Sequence, residues 1–502
     1  MKRKNKRFII ISRLDIIMAS VVLGLPKKLQ PQPEAALSPE CMSQLTRVFP
    51  NNVASVSSPS SVMTINGTFN DLAQTVQEVR FSIPAGMGKN VFVDTSKSRL
   101  NFRVRYVVSS ASVGSETTSS YLQSSAYSFW DRIQTLNQNG VAIDDVVGLG
   151  QIMCHKNNFE FDAAERDSMW HYGFRAEQDA TAGNNYLQGH QIDAFSSATT
   201  VAVGSQYYDY SVPLPSSLLG MGARNFCPIG ALAALNISLW TGNLLPIVYS
   251  NTNTTTTGAT VNCVIDNISI DLQYIYLDQK SAGLLNLGRE YYVHSITNRL
   301  STGTIPASTT GQTSVLIGLR GRSVRSLAAR FSEAVASAAG SANKAYDSKM
   351  IPATQLNFFL NGKDRVPNVV HNSVVAPSTV FEHALQAAEA FSPDKTKFGS
   401  TSNGFLRLFA GTTGASNLSR WAAAAGSTTA AGYLSAFCFA EDLRVASSSQ
   451  ILDGRDLSTS ASHYLEVSIP TGTTNACNVS FISANDIIYV IDLEAGTIES
   501  RV

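Results

Sequence analysis

The chain has 502 residues, of which 44% are hydrophobic and 15% are charged. This length is too great for one ordinary hydrophobic core and predicts two large domains or three small ones. The 38 basic and 37 acidic residues give a formal net charge of +1, whereas a folded nucleic-acid-binding protein usually has a clear basic excess. Charged residues are fewer than the roughly 25% of a typical soluble protein, so the surface is typical of a protein that packs against copies of itself.

The first 25 residues combine a basic cluster with an apolar stretch. The apolar stretch covers residues 8–25 but contains Arg13 and Asp15, each of which would cost about 2.5–3.5 kcal/mol near the centre of a bilayer. Its longest uninterrupted part, residues 16–25, is too short to span a membrane. The basic cluster consists of Lys2, Arg3, Lys4, Lys6 and Arg7.

Four interpretations of this N-terminal segment are open. It is a disordered internal arm that contacts a genome or an inner membrane, an upstream extension of a protein that starts at Met18, a signal sequence, or a buried helix. Residues 26–60 are rich in Pro, Ser, Gln and Asn, which predicts an extended lead-in rather than a domain. We therefore expect residues 1–60 to form an N-terminal arm.

Period-two alternation of apolar and polar residues dominates from residue 76 onward. Between Ser98 and Val108 the polar face carries Asn101, Arg103 and Arg105, which is typical of a half-buried strand. The opposite, apolar face consists of Leu100, Phe102, Val104, Tyr106 and Val108. Further strands are predicted at Leu235–Trp240, Asp266–Asp278, Tyr464–Ile469 and Ile487–Leu493.

Polar tracts separate the predicted strands, and helices are few. Long Ser-, Thr- and Gly-rich connections are typical of an antiparallel sandwich whose loops carry surface variation. The best helix prediction is Phe381–Phe391, and no alternation of strands with helices is visible, which disfavours a doubly wound fold. The polar tracts lie at 109–120, 251–260, 301–313 and 411–416.

An Asn-Gly pair follows an apolar strand in each half of the chain. Asn139-Gly140 lies within the segment 126–144, and Asn361-Gly362 lies within the segment 355–366. Asn-Gly is the strongest two-residue hairpin signal, because both positions tolerate positive φ. Two such series, each about 200 residues long and each with a helical insertion, indicate an internal duplication. We predict an all-β fold with antiparallel β-sandwiches at 61–280 and 281–502.

The order of these patterns resembles that of a known protein family. The segments FWDRIQTLNQNG, VPLPSSLLG and LNFFLNG occur in an order similar to that of the double jelly-roll major capsid proteins of eukaryotic DNA viruses, the lineage of virophages, Polinton-like viruses and adenoviruses. The resemblance covers most of residues 60–500. It implies two tandem jelly rolls with a few short helices in loops, and homotrimers of pseudo-hexagonal outline that build an icosahedral shell around a DNA genome.

The resemblance also implies the partners and the location. The chain is expected to contact itself within the trimer and between neighbouring capsomers, together with penton and minor capsid proteins. Its N-terminal arm, through Lys2–Arg7, is expected to touch genome DNA or an inner membrane. The protein would then be located in the virion capsid and be assembled inside the host cell, with a receptor that the sequence does not identify.

Motifs with catalytic chemistry are weak throughout the sequence. The Gly-Lys of Pro84–Asn90 lacks the other glycine of a phosphate-binding loop and the Ser or Thr after its lysine, so a turn is predicted. Cys154-His155 has no other Cys or His at zinc-ligand spacing, which favours a pair in a loop or at a sheet edge. Glu382-His383 is predicted to be a solvated helix face. We expect no catalytic, metal or cofactor site, and a protein that is not an enzyme.

Two alternative functions have specific requirements. A secreted or cell-surface adhesin or carbohydrate-binding sandwich would carry glycans and could carry disulfides. A cupin- or glycosidase-like enzyme would need a cluster of histidines or paired carboxylates. The six cysteines are scattered and predict free thiols in a reducing compartment. Potential glycosylation sequons begin at Asn66, Asn236, Asn253, Asn267, Asn417 and Asn478.

Overall fold

The structure is a computed structural model. The residues it describes are 60–66, 77–86, 88–108, 120–122, 125–160, 170–172, 177–179, 184–186, 191–192, 204–242, 248–250, 261–276, 290–333, 353–362, 364–371, 377–387, 438–444, 453–458, 462–470 and 476–501. Residues 1–59 of the predicted N-terminal arm therefore lie outside the described residues, as do residues 109–119 and the polar tracts at 251–260 and 411–416. Within the described part of the chain, no helix is long and apolar enough to cross a membrane.

The first half of the described chain forms thirteen strands. They are β1 Ser60–Asn66, β2 Glu78–Ile83, β3 Val91–Val108, β4 Ser120–Leu122, β5 Trp130–Leu136, β6 Ala142–Val147, β7 Glu177–Asp179, β8 Asn184–Tyr186, β9 Gln191–Ile192, β10 Gly204–Pro213, β11 Leu235–Thr241, β12 Val248–Ser250 and β13 Val261–Tyr276. One α-helix, α1, covers Leu149–Glu160, and short 3-10 helices cover Ala126–Phe129, Trp170–Tyr172 and Ile229–Ala231.

The second half forms nine strands and one α-helix. They are β14 Glu290–Ile305, β15 Gly311–Leu316, β16 Val324–Glu333, β17 Gln355–Leu360, β18 Asp364–His371, α2 Pro377–Ala387, β19 Cys438–Asp442, β20 Tyr464–Ile469, β21 Cys477–Asp492 and β22 Thr497–Arg501.

The two halves share one sheet topology. In the first half, eight strands form two antiparallel sheets with the orders β1-β13-β3-β10 and β2-β11-β5-β6. In the second half the orders are β14-β21-β16-β19 and β15-β20-β17-β18. Numbered one to eight within each half, both sets read 1-8-3-6 and 2-7-4-5. This is the double Greek key of an eight-stranded jelly roll, here called roll 1 and roll 2.

The alternation that predicted the strands also builds the cores. Leu100, Phe102 and Val104 of β3 are buried against the sheet β2-β11-β5-β6, as the half-buried pattern predicted. Inward-facing residues of β16, β17, β20 and β21 form the separate core of roll 2. Aromatic side chains fill the centre of roll 1, where the rings of Phe102 and Trp130 meet edge-to-face at a centroid distance of 5.3 Å. Both sandwiches therefore hold together by burying one face of each strand.

Strand direction sorts the connections into two ends. Because successive strands of each roll run in opposite directions, the connections at 84–90, 137–141 and 214–234 share one end, here called the base. The opposite end carries longer connections, three of which contribute β4, β9 and β12 to a small sheet. In roll 2 the base connections are 317–323, 361–363 and 443–463. β1 also begins at the base, so residues 1–59 join the fold there.

Several sequence predictions were wrong in detail. The polar tract 301–313 was expected to separate strands, but β14 continues to Ile305 and β15 begins at Gly311, because β21 supplies main-chain partners along all of β14. The helix predicted at Phe381–Phe391 begins four residues earlier, at Pro377, where proline suits a first helical turn. Cys154-His155 was predicted to lie in a loop or at a sheet edge but lies in α1, which begins directly after Gly148.

Candidate functional site: the junction between the two jelly rolls

A long two-stranded ribbon links the rolls. β14 and β21 pair without interruption from Glu290–Asp492 to Ile305–Cys477. The far end of the ribbon, represented by Ile305 and Cys477, lies in the core of roll 2. The near end belongs to the core of roll 1, to which the ribbon and β22 contribute Tyr291, Val293, Ile482, Ile487, Tyr489, Ile491, Leu493 and Ile498. The ribbon therefore completes both cores at once.

Main-chain hydrogen bonds fix the near end of the ribbon to a base connection of roll 1. The amide of Arg224 donates to the carbonyl of His294 over 2.8 Å, and the amide of Ile296 donates to the carbonyl of Gly222 over 2.9 Å. A Cβ at Gly222 would lie 2.5 Å from that Ile296 carbonyl oxygen, so only glycine allows this approach. Because these bonds belong to the backbone, they fix the register of one roll on the other.

A buried polar cluster lies beside the ribbon. The Ser217 hydroxyl hydrogen-bonds both the Asp144 carboxyl and the Tyr489 hydroxyl, and Thr297 Oγ1 donates to Asp144 Oδ1 over 3.0 Å. Burial raises the pKa of Asp144, although the hydrogen bonds from Ser217 and Thr297 oppose that rise. Burial also raises the pKa of the Tyr489 phenol, with the nearby Asp144 carboxyl adding to the effect. Two of these residues come from each roll, so the cluster exists only when the rolls are together.

This cluster is built for packing and not for chemistry on a substrate. The Ser217 side chain is buried, so a substrate carbonyl cannot reach its hydroxyl without opening the junction. The adjacent cavity has a volume of about 20 Å³ and is lined by Leu149, Met153 and Ile296 among others. That volume holds about one water molecule, whereas small-molecule sites have roughly 300–1,000 Å³.

Helix α1 forms the second part of the junction. Arg330 of β16 donates from Nη1 to the Gln151 carbonyl over 3.2 Å and approaches Cys154 Sγ with Nη2 at 3.7 Å. Ser480 Oγ donates to Gln151 Oε1 over 3.1 Å. At the start of the helix, Gly148 has a φ of +73°, and a Cβ there would overlap the Leu300 side chain. The helix is thus held between the two rolls.

The Cys154-His155 pair is explained by this position in the junction. Burial lowers the pKa of His155 to about 3, with Arg330 and Lys156 contributing. Among the described residues, no group of three or more His, Cys, Asp or Glu side chains could hold a metal ion. Four cysteines of the described chain are buried free thiols, namely Cys154, Cys227, Cys438 and Cys477.

The predicted hairpin residues lie in tight turns at the base. Asn139 and Gly140 lie between the paired strands β5 and β6, and Gly140 has a φ of +74°. Asn361 and Gly362 lie between β17 and β18, with φ values of +53° and +75°. The arm residues Lys2, Arg3, Lys4, Lys6 and Arg7 lie outside the described residues.

The interaction of His383 differs from the predicted solvated face. His383 Nδ1 lies 2.9 Å from Glu441 Oε2 of β19, so this partly exposed side chain also contacts the sheet. Glu382 does point to solvent. Because β19 lies about 60 residues from α2 in sequence, no spacing rule connected these two side chains.

The buried charged residues of the junction and of the base of roll 2 were not identified from the sequence. Asp144 occurs in an apolar strand, AIDDVV, where one of two adjacent aspartates had to face inward. Arg325 interrupts the strand sequence VRSLAARF and pairs at the base of roll 2 with Asp453 and Asp486, at 3.0 and 3.1 Å. A charged residue at an inward position of an alternating strand is the signal that could have identified both.

Comparison with known proteins identifies the fold. No protein-family model and no curated protein sequence matches the chain. The crystal structure of the mavirus major capsid protein matches over 88% of this chain and 90% of its own, with a TM-score of 0.50 and 10% identity. The chain has a double jelly-roll fold.

Two further structures give the same result. A chain of the Sputnik virophage structure, determined by cryo-EM, matches this double jelly roll with a TM-score of 0.53 and 10% identity, covering 89% of this chain and 88% of its own. A chain of a quasi-atomic model of the PBCV-1 virus capsid matches with a TM-score of 0.50 and 11% identity, covering 88% and 97%. At such low identity, the likeness establishes the architecture, as the sequence resemblance predicted.

Proposed function

We propose that this double jelly-roll protein is the structural major capsid protein of an icosahedral DNA virus. The observation that carries the proposal is the repetition of one eight-stranded topology in two rolls. Their bases lie at the same end, because β6 and β14, which both lead away from a base, contact each other in the same order, Asp144 with Thr297 and Gly148 with Leu300. The likeness to the mavirus major capsid protein supports the proposal. In this role the protein is located in the virion capsid, is assembled inside the host cell and has no enzymatic activity.

The junction supports a specific mode of assembly. At the contact between the rolls, roll 1 contributes β6 and α1, and roll 2 contributes the ribbon. Two different surfaces meet, so the contact is heterologous. A heterologous contact that repeats between chains closes into a ring when its rotation divides a full turn. Three chains would supply six similar rolls, which gives a homotrimer of pseudo-hexagonal outline that can tile a shell. We propose domain boundaries near residues 60 and 280 for the arm and the two rolls.

The two ends of the rolls have different proposed roles. The long connections would face outward and carry host contacts, whereas the base, where residues 1–59 join β1, would face inward. Lys2, Arg3, Lys4, Lys6 and Arg7 would then lie close to genome DNA or an inner membrane. Neighbouring capsomers, penton proteins and minor capsid proteins are the other proposed partners.

The secreted adhesin is the weaker alternative. Four buried free thiols are typical of a protein that folds in a reducing compartment, which a secreted sandwich would not require. Asn236, which begins a potential glycosylation sequon, instead accepts a hydrogen bond from Ser82 across two strands, over 2.9 Å.

Native mass and negative-stain microscopy of the purified full chain test the proposal. The expected result is a particle of three times 53.9 kDa, with hexagonal blocks or closed shells in the images. A glycosylated monomer would contradict the capsid role and favour the adhesin.

A further inference from the structure

One base connection of roll 2 displays arginines on a fixed scaffold. Residues 317–323 connect β15 to β16, and their side chains alternate between the core and solvent. Ile317 and Leu319 are buried in the core of roll 2, whereas Arg320 and Arg322 are exposed. Just before the connection, Leu316 is 65% exposed, which is unusual for a large aliphatic side chain in this structure.

The backbone of this connection is held along its length. The Ile317 amide donates to the His463 carbonyl over 2.8 Å, and the Gly318 amide donates to Ser301 Oγ over 3.1 Å. The Leu457 amide donates to the Gly321 carbonyl over 2.7 Å. A connection fixed in this way presents its exposed side chains with little loss of backbone entropy on binding.

A third guanidinium adjoins the connection. Arg299 of β14 is exposed and donates from Nη1 to the Arg320 carbonyl over 2.7 Å. Asp456 is near enough for the charge of Arg322 to contribute to lowering its pKa, which is lowered chiefly by hydrogen bonds from Ser458. Three exposed guanidiniums therefore lie together at this end of roll 2, on a chain whose net charge is only +1.

We propose that Leu316, Arg299, Arg320 and Arg322, here called the base lip, form a binding site for an anionic lipid surface. Guanidinium groups bind lipid phosphates through paired hydrogen bonds, and basic residues near a bilayer are attracted to its anionic headgroups. The exposed leucine beside them provides the apolar contact with the acyl boundary that a purely electrostatic site lacks.

The position of the base lip favours lipid over nucleic acid. It lies at the end where residues 1–59 join the fold, and that segment begins with five basic residues followed by an apolar stretch. Basic and apolar residues thus occur together both in the lip and in the sequence of residues 1–25. A DNA duplex offers phosphates but no apolar layer for Leu316. The inference rests on the proposed capsid function only for the inward direction of the base.

Vesicle co-sedimentation of the full chain tests the base lip. Phosphatidylcholine vesicles with and without phosphatidylserine are compared, and a short DNA duplex serves as a competing probe. We expect binding that requires phosphatidylserine, and we expect Arg320→Glu/Arg322→Glu to weaken it by about tenfold or more. Leu316→Ser should weaken it less and should make the remaining binding more sensitive to salt.

The matched control is Arg80→Glu/Arg103→Glu, which makes the same charge change at exposed residues of roll 1 away from the base connections. It should bind vesicles within about twofold of the unmodified chain. If the charge reversal prevents folding, Arg320→Gln/Arg322→Gln is used in its place, and its thermal unfolding is compared with that of the unmodified chain. Unchanged vesicle binding of the lip variants would overturn the inference, as would loss of DNA binding with vesicle binding intact.

The two proposals fail separately. If the protein forms trimers and the lip substitutions do not change vesicle binding, the capsid proposal is supported and the base-lip proposal is contradicted. If the protein is a monomer whose vesicle binding depends on Arg320 and Arg322, the base-lip proposal is supported and the capsid proposal is contradicted. Absence of binding by the unmodified chain to phosphatidylserine vesicles would also overturn the inference.

Discussion

Two buried polar clusters of the described residues stabilise carboxyl groups away from water, one with hydroxyl groups and the other with an arginine. At the junction, the carboxyl of Asp144 is hydrogen-bonded by hydroxyl groups from both rolls. At the base of roll 2, the Asp486 carboxylate receives a hydrogen bond from Ser323 and an ion pair from Arg325, which also pairs with Asp453. Burial raises the pKa of both Asp144 and Asp453, but Arg325 opposes the rise at Asp453.

The two clusters differ in which charge can be removed without a large loss of stability. A carboxyl that is hydrogen-bonded by hydroxyls can become neutral without leaving a buried charge behind. An ion cluster cannot lose its cation, because the carboxylates would remain in a medium that solvates them poorly. The junction should therefore tolerate neutralisation of its acid, whereas the base of roll 2 should not tolerate loss of its arginine.

The largest expected effect is that of Arg325→Met. Removing this guanidinium leaves Asp453 and Asp486 buried without their cation, and breaking such a pair typically costs about 3–5 kcal/mol. Urea unfolding measures the loss. The control Arg322→Met removes an exposed guanidinium three positions earlier and should change stability by about 0.5 kcal/mol or less. Equal unfolding midpoints for both variants would contradict the contrast between the clusters.

The second effect concerns the glycine at the junction. Gly148 and Gly140 have nearly the same positive φ, +73° and +74°, so alanine should cost each about 1–2 kcal/mol of backbone strain. Only at Gly148 would the new Cβ also overlap Leu300 of roll 2, which should add about 1–3 kcal/mol. Denaturant unfolding of both alanine variants gives the difference directly. A Gly148→Ala variant as stable as Gly140→Ala would argue against close contact of the rolls there.

The third effect is that of Asp144→Asn, which sharpens the comparison from the junction side. The folded pKa of Asp144 is raised above its ordinary value of 3.8, so the native state holds this proton more tightly than the unfolded state does. Stability should therefore fall as the pH rises from that value through the folded pKa.

The asparagine variant should lose this pH-dependent part of the stability. Its free energy of unfolding should fall by no more than about 0.5–1.5 kcal/mol, the typical contribution of a hydrogen bond. Melting temperatures across the acidic range measure both quantities. A loss as large as that of Arg325→Met would show that the Asp144 carboxylate is charged and essential at the junction.

The smallest expected effect is that of His383→Gln in roll 2. The hydrogen bond to Glu441 raises the pKa of His383 above 6.5, although burial opposes the rise. The stabilisation is therefore fully present below 6.5 and is lost as the pH rises through the folded pKa. Because the histidine is partly exposed, we expect about 1 kcal/mol or less. Unfolding on the acidic and alkaline sides of neutrality measures it; equal differences from the unmodified chain at both pH values would contradict it.

Local pattern predicted the strands well where one face was buried. The stretch from Ser98 to Val108 lies in β3, and the segment from Tyr464 to Ile469 matches β20. The pattern failed at residues 301–305, whose Ser, Thr and Gly content indicated a connection. Those residues are strand because β21 pairs with them, and a strand partner from 180 residues away leaves no trace in local composition.

The amino-acid sequence by itself determined the fold class, the existence of two similar halves and the position of the Asn-Gly turns, because alternation and turn chemistry act over a few residues. Only the tertiary structure decided which inward-facing polar groups meet. Asp144 and Tyr489, or Arg325 and Asp453, lie more than a hundred residues apart, and each is stabilised by partners that folding alone brings near. The tertiary structure likewise decided the side-by-side contact of the rolls and the exposure of the base lip, since burial and exposure are properties of the packed chain.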